Sequence, residues 1–209
     1  VITLEKNKIY KAFTGLKEFY YGELNADETG ISGTSAERIK FLQNIGVETA
    51  QEIVRAFGDN QVAELAVGNG QTTLSTTFHT IPIEDQQRLY GMKKLGGLIA
   101  HTPENRPPYV ACAFARTAED GGTEWLGFAK GMFTQPNTEG QTKEDSVEFG
   151  NAETSGEFMP REVSSGEETL NVTYLKGYDA PGSTTNRDAL FKAIFGVNHP
   201  DYVNPAPGV

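Results

Sequence analysis

"PPYVACAFARTAEDGGTEWLGFAKGMFT", residues 107–134, sets two apolar runs on either side of Asp120-Gly121-Gly122. Asp-Gly and Gly-Gly pairs supply the positive backbone angles of a tight turn, so the runs predict an antiparallel hairpin. Neither run alternates cleanly between apolar and polar residues. A strand with no wet side belongs at the centre of a sheet, and that is where this hairpin is expected.

The flanking segments do alternate. In "TTLSTTFHT", residues 72–80, Leu74, Thr76 and Phe78 point one way and Thr73, Ser75, Thr77 and His79 the other, as in a half-buried antiparallel strand. "TLNVTYL", residues 169–175, repeats the pattern, with Leu170, Val172 and Tyr174 set against Thr169, Asn171 and Thr173. "ERIKFLQNIGVETAQEIVRAF", residues 37–57, reads as extended, although its first half also fits a helix; Gly58–Asn60 and Gly68–Gly70 then supply turns. Two short helices are expected. "PIEDQQRLYG" starts at Pro82 with Glu84 and Asp85 in its first turn, and "STTNRDALFKAIFG" has a Ser/Thr cap, an apolar stripe of Leu190, Phe191, Ile194 and Phe195, and a stop at Gly196. Residues 25–36 and 178–183 read as linkers, and the proline-rich end as an extended tail. One β-rich domain spans 1–209, with an N-terminal arm over about 1–36 and a C-terminal tail over about 197–209.

The 209 residues carry 37% hydrophobic content and a net charge of −10, ample for a core and opposed to a DNA-binding surface, which needs cations to displace counterions from phosphates. Cys112 is the one cysteine, so the fold has no internal disulfide, and its apolar surroundings mark it as a buried small hydrophobe. No run approaches the roughly 18 apolar residues of a membrane helix. The visible start, "VITLEKNKIYKAF", has no signal-peptide core.

Catalytic chemistry finds little support. His79, His101 and His199 lie far apart without a zinc-ligand spacing and read as surface or loop residues; there is no Gly-x-Ser-x-Gly elbow, and "GNGQTT" lacks the lysine of a phosphate-binding loop. Glu144 and Glu148 share a strand face, but four residues of strand span about 13 Å. Glycosidase carboxylates stand roughly 5 to 9.5 Å apart. Trp125, the single tryptophan, reads as core packing, and the oxygen-rich stretches "NADETG" and "EDSVEFGNAE" lack calcium-loop spacing. No catalytic residue, cofactor or metal is expected. "TKEDSVEFGNAETSGEFMPR", residues 142–161, reads instead as a two-stranded acidic ribbon turning at Gly150-Asn151, with Val147, Phe149 and Phe158 as its apolar anchors.

An ordered series spanning Ile39 to Phe195 resembles the major tail proteins, or tail tube proteins, of long non-contractile-tailed bacteriophages. It comprises "IVRAFGDNQVAELAVGNGQTTLSTTFHTIPIEDQQRLYG", similar to that family's Asp-Asn turn, polar strand and short helix; then the central hairpin and the glutamate-rich strand after it; then the terminal helix ending "LFKAIFG". The resemblance implies a mainly β, antiparallel β-sandwich or partial barrel with one or two short flanking α-helices. Six such subunits would close into a ring, and rings would stack into a tube with tape measure, terminator and distal tail proteins as neighbours. Double-stranded DNA would pass through the lumen without specific binding. Assembly would take place in the host cytoplasm, the product would reside in the virion tail, and no membrane would be involved. The net charge of −10 agrees with a lumen that repels DNA. Glu52, Glu64, Glu144 and Glu148 are the candidates to line it. Lys6, Lys8, Lys11 and Lys17 could meet an acidic patch on the next ring or be an ordinary solvated face, and residues 25–36 and the tail fit inter-ring arms. A non-enzymatic β-sandwich binding or adhesion module is the alternative, and an acidic β-rich hydrolase a further one.

Overall fold

Residues 107–134 do form the central hairpin. In the computed structural model, which describes residues 11–58, 61–136, 150–166 and 168–204, the elements run in chain order as β1 (Phe13–Glu23), β2 (Glu37–Ile39), β3 (Leu42–Gly58), β4 (Gln61–Phe78), α1 (Ile83–Leu89), β5 (Lys93–Leu95), β6 (Leu98–Ala100), β7 (Val110–Ala118), β8 (Thr123–Thr134), β9 (Ala152–Met159), β10 (Arg161–Ser165), β11 (Glu168–Val172), β12 (Tyr174–Asp179) and α2 (Thr185–Phe195). The large sheet has the order β2-β1-β7-β8-β9-β4-β3, with β12 added to β8, and every pairing is antiparallel. β8 holds β12 along its first half, Thr123 to Phe128, and β9 along its second, Lys130 to Thr134. The β7–β8 turn relies on Gly121, at φ +82°, and on the Gly122 N–H donating to Asp120 Oδ1 at 3.0 Å.

The lack of alternation in β7 and β8 has its cause in two cores, one on each side of them. Cys112, Phe114, Leu126 and Phe128 face one core, completed by Phe19, Tyr21, Leu74, Phe78, Phe133, Phe158 and Leu89 of α1. Phe19 of β1 meets Phe78 of β4 edge-on at 5.1 Å between ring centres, although three strands separate β1 from β4 in the sheet. The sheet therefore curls around this core as a sandwich-like, unclosed barrel. On its other side Ala111, Ala113, Ala115 and Ala129 form a low floor on which α2 lies through Leu190, Phe191 and Ile194. A Cβ at Gly127 would stand 2.7 Å from Leu190 Cδ2 and 3.0 Å from Ile194 Cγ1, so only glycine lets the helix approach this closely. Trp125 is core packing here, edge-on to Phe191 at 5.7 Å, and Cys112 is fully buried, which pushes its thiol pKa well up.

Threonine hydroxyls cross-link β3, β4, β9 and β8. Thr76 Oγ1 donates to the Thr154 carbonyl at 3.2 Å, Thr154 Oγ1 to the Thr134 carbonyl at 2.8 Å, and the Thr49 and Thr72 hydroxyls share a bond at 3.3 Å. Thr72, Thr76 and Thr154 are buried, so for each of them the bond replaces one to water.

Several expectations need correction. The first arm of the acidic ribbon, with Val147 and Phe149, lies outside the described residues, and the second is more than ribbon: β9 is an interior strand between β4 and β8, because Thr154, Gly156 and Phe158 fit the core side. Gly68–Gly70 is no turn, since β4 runs straight through it opposite a register shift between Thr49 and Gln51. "TLNVTYL" is broken at Thr173 into β11 and β12, which pair with different strands, and Leu170 is 60% exposed. Residues 25–36 fold beneath the end of α2 instead of linking units: Ile31 N–H donates to the Phe195 carbonyl at 2.9 Å, and buried Arg161 donates to the carbonyls of Glu28 and Ile194 at 2.6 Å each. Of the segment expected as an N-terminal arm, Phe13–Glu23 is β1.

The 178–183 stretch contains the true cap of α2. Thr184 occupies the N-cap without a side-chain bond to the helix, and the carboxylate of buried Asp179 accepts from the N–H groups of Asn186 and Arg187 at 2.8 Å each. Asp179→Ala should destabilise the fold by about 2 kcal/mol, the upper end for an N-cap because the site is buried. Urea unfolding of the monomer measures it.

His199 lies in a loop, as expected, but is buried and not at the surface. Its ring is buried among Tyr20, Trp125 and Phe191, with centres 5.2, 5.7 and 4.6 Å away, so the start of the tail is pinned to the subunit. Nδ1 accepts from the Asp201 N–H at 3.0 Å, which leaves the proton on Nε2, 3.6 Å from Glu18 Oε2 and beyond a full hydrogen bond. His199 first, then Arg38 and Lys17, hold the Glu18 pKa below the usual carboxylate range against the opposing effect of burial. At the β7–β8 turn, Lys11 and then the Tyr178 hydroxyl hold Asp120 at about 2. A depressed carboxylate stabilises the fold above its unfolded pKa, and that contribution is lost as pH falls through the lower folded value. Glu18→Gln should therefore flatten the loss of stability with acid below about pH 4.5, read from denaturant midpoints between pH 5 and 3. No described helix is long and apolar enough to cross a membrane.

Candidate functional site

Among the described residues the curled sheet leaves a broad area uncovered. Beyond the reach of α2, the outward side of β3, β4, β9 and the end of β8 carries three cross-strand rows: Glu48, Thr73, Glu157 and Met132; Gly46, Ser75, Ser155 and Thr134; Asn44, Thr77 and Glu153. The alternate residues Leu74, Thr76, Phe78, Thr154, Phe158 and Phe133 face the core. Period two thus divides these strands into a dry side and a side of hydroxyls, amides and carboxylates.

The chemistry of the wet side is one-signed. Glu48, Glu153 and Glu157 are exposed, and these three rows hold no lysine or arginine. Gln71 donates its amide to Glu157. Lys130, at the margin beside Met159, is engaged by Glu28 and lies over the Tyr109 ring at 4.2 Å. Glu48 and Glu157 are two strand spacings apart, roughly 9.6 Å, and Glu153 and Glu157 are roughly 13 Å apart along β9. That is too wide to chelate a cation at the 2.3–2.6 Å typical of calcium. Among the described residues no group of three or more acidic, histidine or cysteine side chains stands close enough to hold a metal. Such a surface offers phosphate no counter-charge and repels it.

The four glutamates expected to line a lumen are not these. Glu52 lies in β3 opposite Gly68, and Glu64 in β4 opposite Ala56, both in the part of the β3–β4 hairpin that extends past β9. Glu144 and Glu148 lie outside the described residues. Glu48, Glu153 and Glu157 were not among them, because a strand's alternation gives two faces without saying which is wet. The signal was nonetheless present: Leu74, Thr76 and Phe78 fix the dry face of β4, and register carries that choice to β3 and β9.

The β3-β4-β9-β8 layer also ends in open edges. Among the described residues β3 has no partner on its outer side, and β7 accompanies β8 only as far as Gly131, leaving Met132–Thr134 free on that edge. No curated protein matches the chain significantly. A family model described as phage tail tube protein matches residues 4–196, nearly the whole length. A mainly antiparallel sheet with two short helices, curled around one core and exposing an acidic face, agrees with that match, and the chain belongs to the phage tail tube protein family.

Proposed function

We propose that this chain is the structural subunit of a tube through which a phage genome passes, with the Glu48–Glu153–Glu157 face turned toward the DNA. The observation that carries this reading is a solvated sheet face without cations on a layer that, among the described residues, leaves β3 unpartnered on its outer side and Met132–Thr134 of β8 unpaired. Directions alternate along β3, β4, β9 and β8, so β8 of one copy would lie antiparallel to β3 of the next. Identical copies then join edge to edge without reversing any strand, and six of them close a ring, satisfying rims that would otherwise invite aggregation. Rings stack, and the negative face becomes continuous along the bore. DNA meets like charge on every side and slides. Tape measure, terminator and distal tail proteins are the expected neighbours, and tubes form in the host cytoplasm before they join the particle.

Negative-stain microscopy of the purified protein over a range of concentrations tests the reading. Six-fold rings or tubes with a stain-filled bore are expected. A particle that stays monomeric at every concentration and binds a glycan would mean a β-sandwich adhesion module instead.

A further inference from the structure

Two hairpins stand apart from the large sheet, on its opposite sides. β5–β6 follows α1 and is anchored by Ile99 against the core of Phe19, Phe78 and Phe128. β10–β11 is anchored by Val163 and Val172 against the core beneath α2. Each presents apolar side chains that its own subunit leaves uncovered. Leu95 and Leu98 are cross-strand partners at the tip of the first, each 71% exposed, and Leu170 of the second is 60% exposed. Their charges are opposite: exposed Lys93 and Lys94 on one, exposed Glu162 and Glu168 on the other. Lys93 meets Glu104 at 3.1 Å, whereas Lys94, Glu162 and Glu168 have no oppositely charged partner among the described residues.

We infer that these hairpins are the two halves of one contact between copies: the basic, leucine-tipped β5–β6 hairpin of one subunit seats on the acidic β10–β11 hairpin of the next. The inference rests on the tube reading and adds a contact separate from the sheet edges. Head-to-tail assembly needs two different patches, complementary and on opposite sides of one molecule, and these hairpins supply them. Two copies of either hairpin would face each other with like charge, so self-pairing is opposed. Covering the leucines drives the contact, and the charges choose which hairpin meets which.

Disulfide trapping tests it, because Cys112 is buried and cannot compete. A chain carrying both Leu98→Cys and Leu170→Cys, oxidised after assembly, should give a ladder of covalent oligomers beyond the dimer on a non-reducing gel. Either substitution alone should give none. In low salt, Lys94→Glu, or Glu162→Lys with Glu168→Lys, should raise the concentration needed for assembly about fivefold or more, and all three in one chain should restore it. Tubes that form normally but yield no ladder, that trap with Leu98→Cys alone, or that ignore the charge reversals overturn the hairpin contact and leave the tube reading standing. Protein that never associates overturns both.

Discussion

Replacing Glu48, Glu153 and Glu157 together by lysine should leave folded subunits that still form tubes, while release of DNA from the assembled particle slows by about tenfold or more at low salt. The three side chains are exposed and their Cβ atoms lie on a solvated strand face, so the substitution creates no cavity and buries no charge. The effect falls on the DNA. Each lysine turns a repulsive position into a phosphate contact, and binding through such contacts strengthens steeply with their number and weakens with added salt. Retardation should therefore fade as salt rises, which separates electrostatic drag from a damaged tube. Time-resolved dye access to released DNA reads the rate. Parental release from variant particles with normal tubes would show that this face does not meet the genome.

Phe191→Ala should cost about 3–5 kcal/mol, the range for emptying an aromatic site in a packed core. Phe191 is fully buried and its ring contacts those of Tyr20, Trp125, Phe195 and His199 at 4.6 to 5.7 Å. It joins α2, the central strands and the start of the tail, and none of these can shift far to fill the space, because the Ala111–Ala115 floor and Gly127 already bring the helix down on the sheet. Urea denaturation of the monomer measures the loss, and a change below about 1 kcal/mol would show that α2 is not held by this residue.

The central hairpin and both helices could be read from the chain because their signals are local: Asp120-Gly121-Gly122 at the turn, Glu84 and Asp85 in the first turn of α1, Gly196 at the end of α2. What could not be read depends on partners far along the chain. Nothing within residues 150–161 says that β9 lies between β4 and β8, since the same alternation serves an isolated ribbon and an interior strand. Asp179 is the cap of α2 only because β12 ends beside Asn186, and a search limited to the helix's own flank finds Thr184 instead. His199 is a loop residue, and its burial shows only once three aromatic rings close around it. The acidic face was legible as composition and not as place: the excess of carboxylates was plain, but choosing Glu48, Glu153 and Glu157 over other glutamates needs the register of four strands.

The hydroxyl of Thr72 acts like the ward of a lock. If β4 slid along β3 by two residues, every leucine and phenylalanine would still point inward, and hydrophobic pattern alone would accept the error. The bond from Thr76 would find another backbone carbonyl two residues along, but buried Thr72 would lose the Thr49 hydroxyl, at about 1–3 kcal/mol. A polar atom placed in a dry layer thus proofreads the alignment that keeps three acids in line on the far side, so the least oily part of the interior guards the shape of the wall outside.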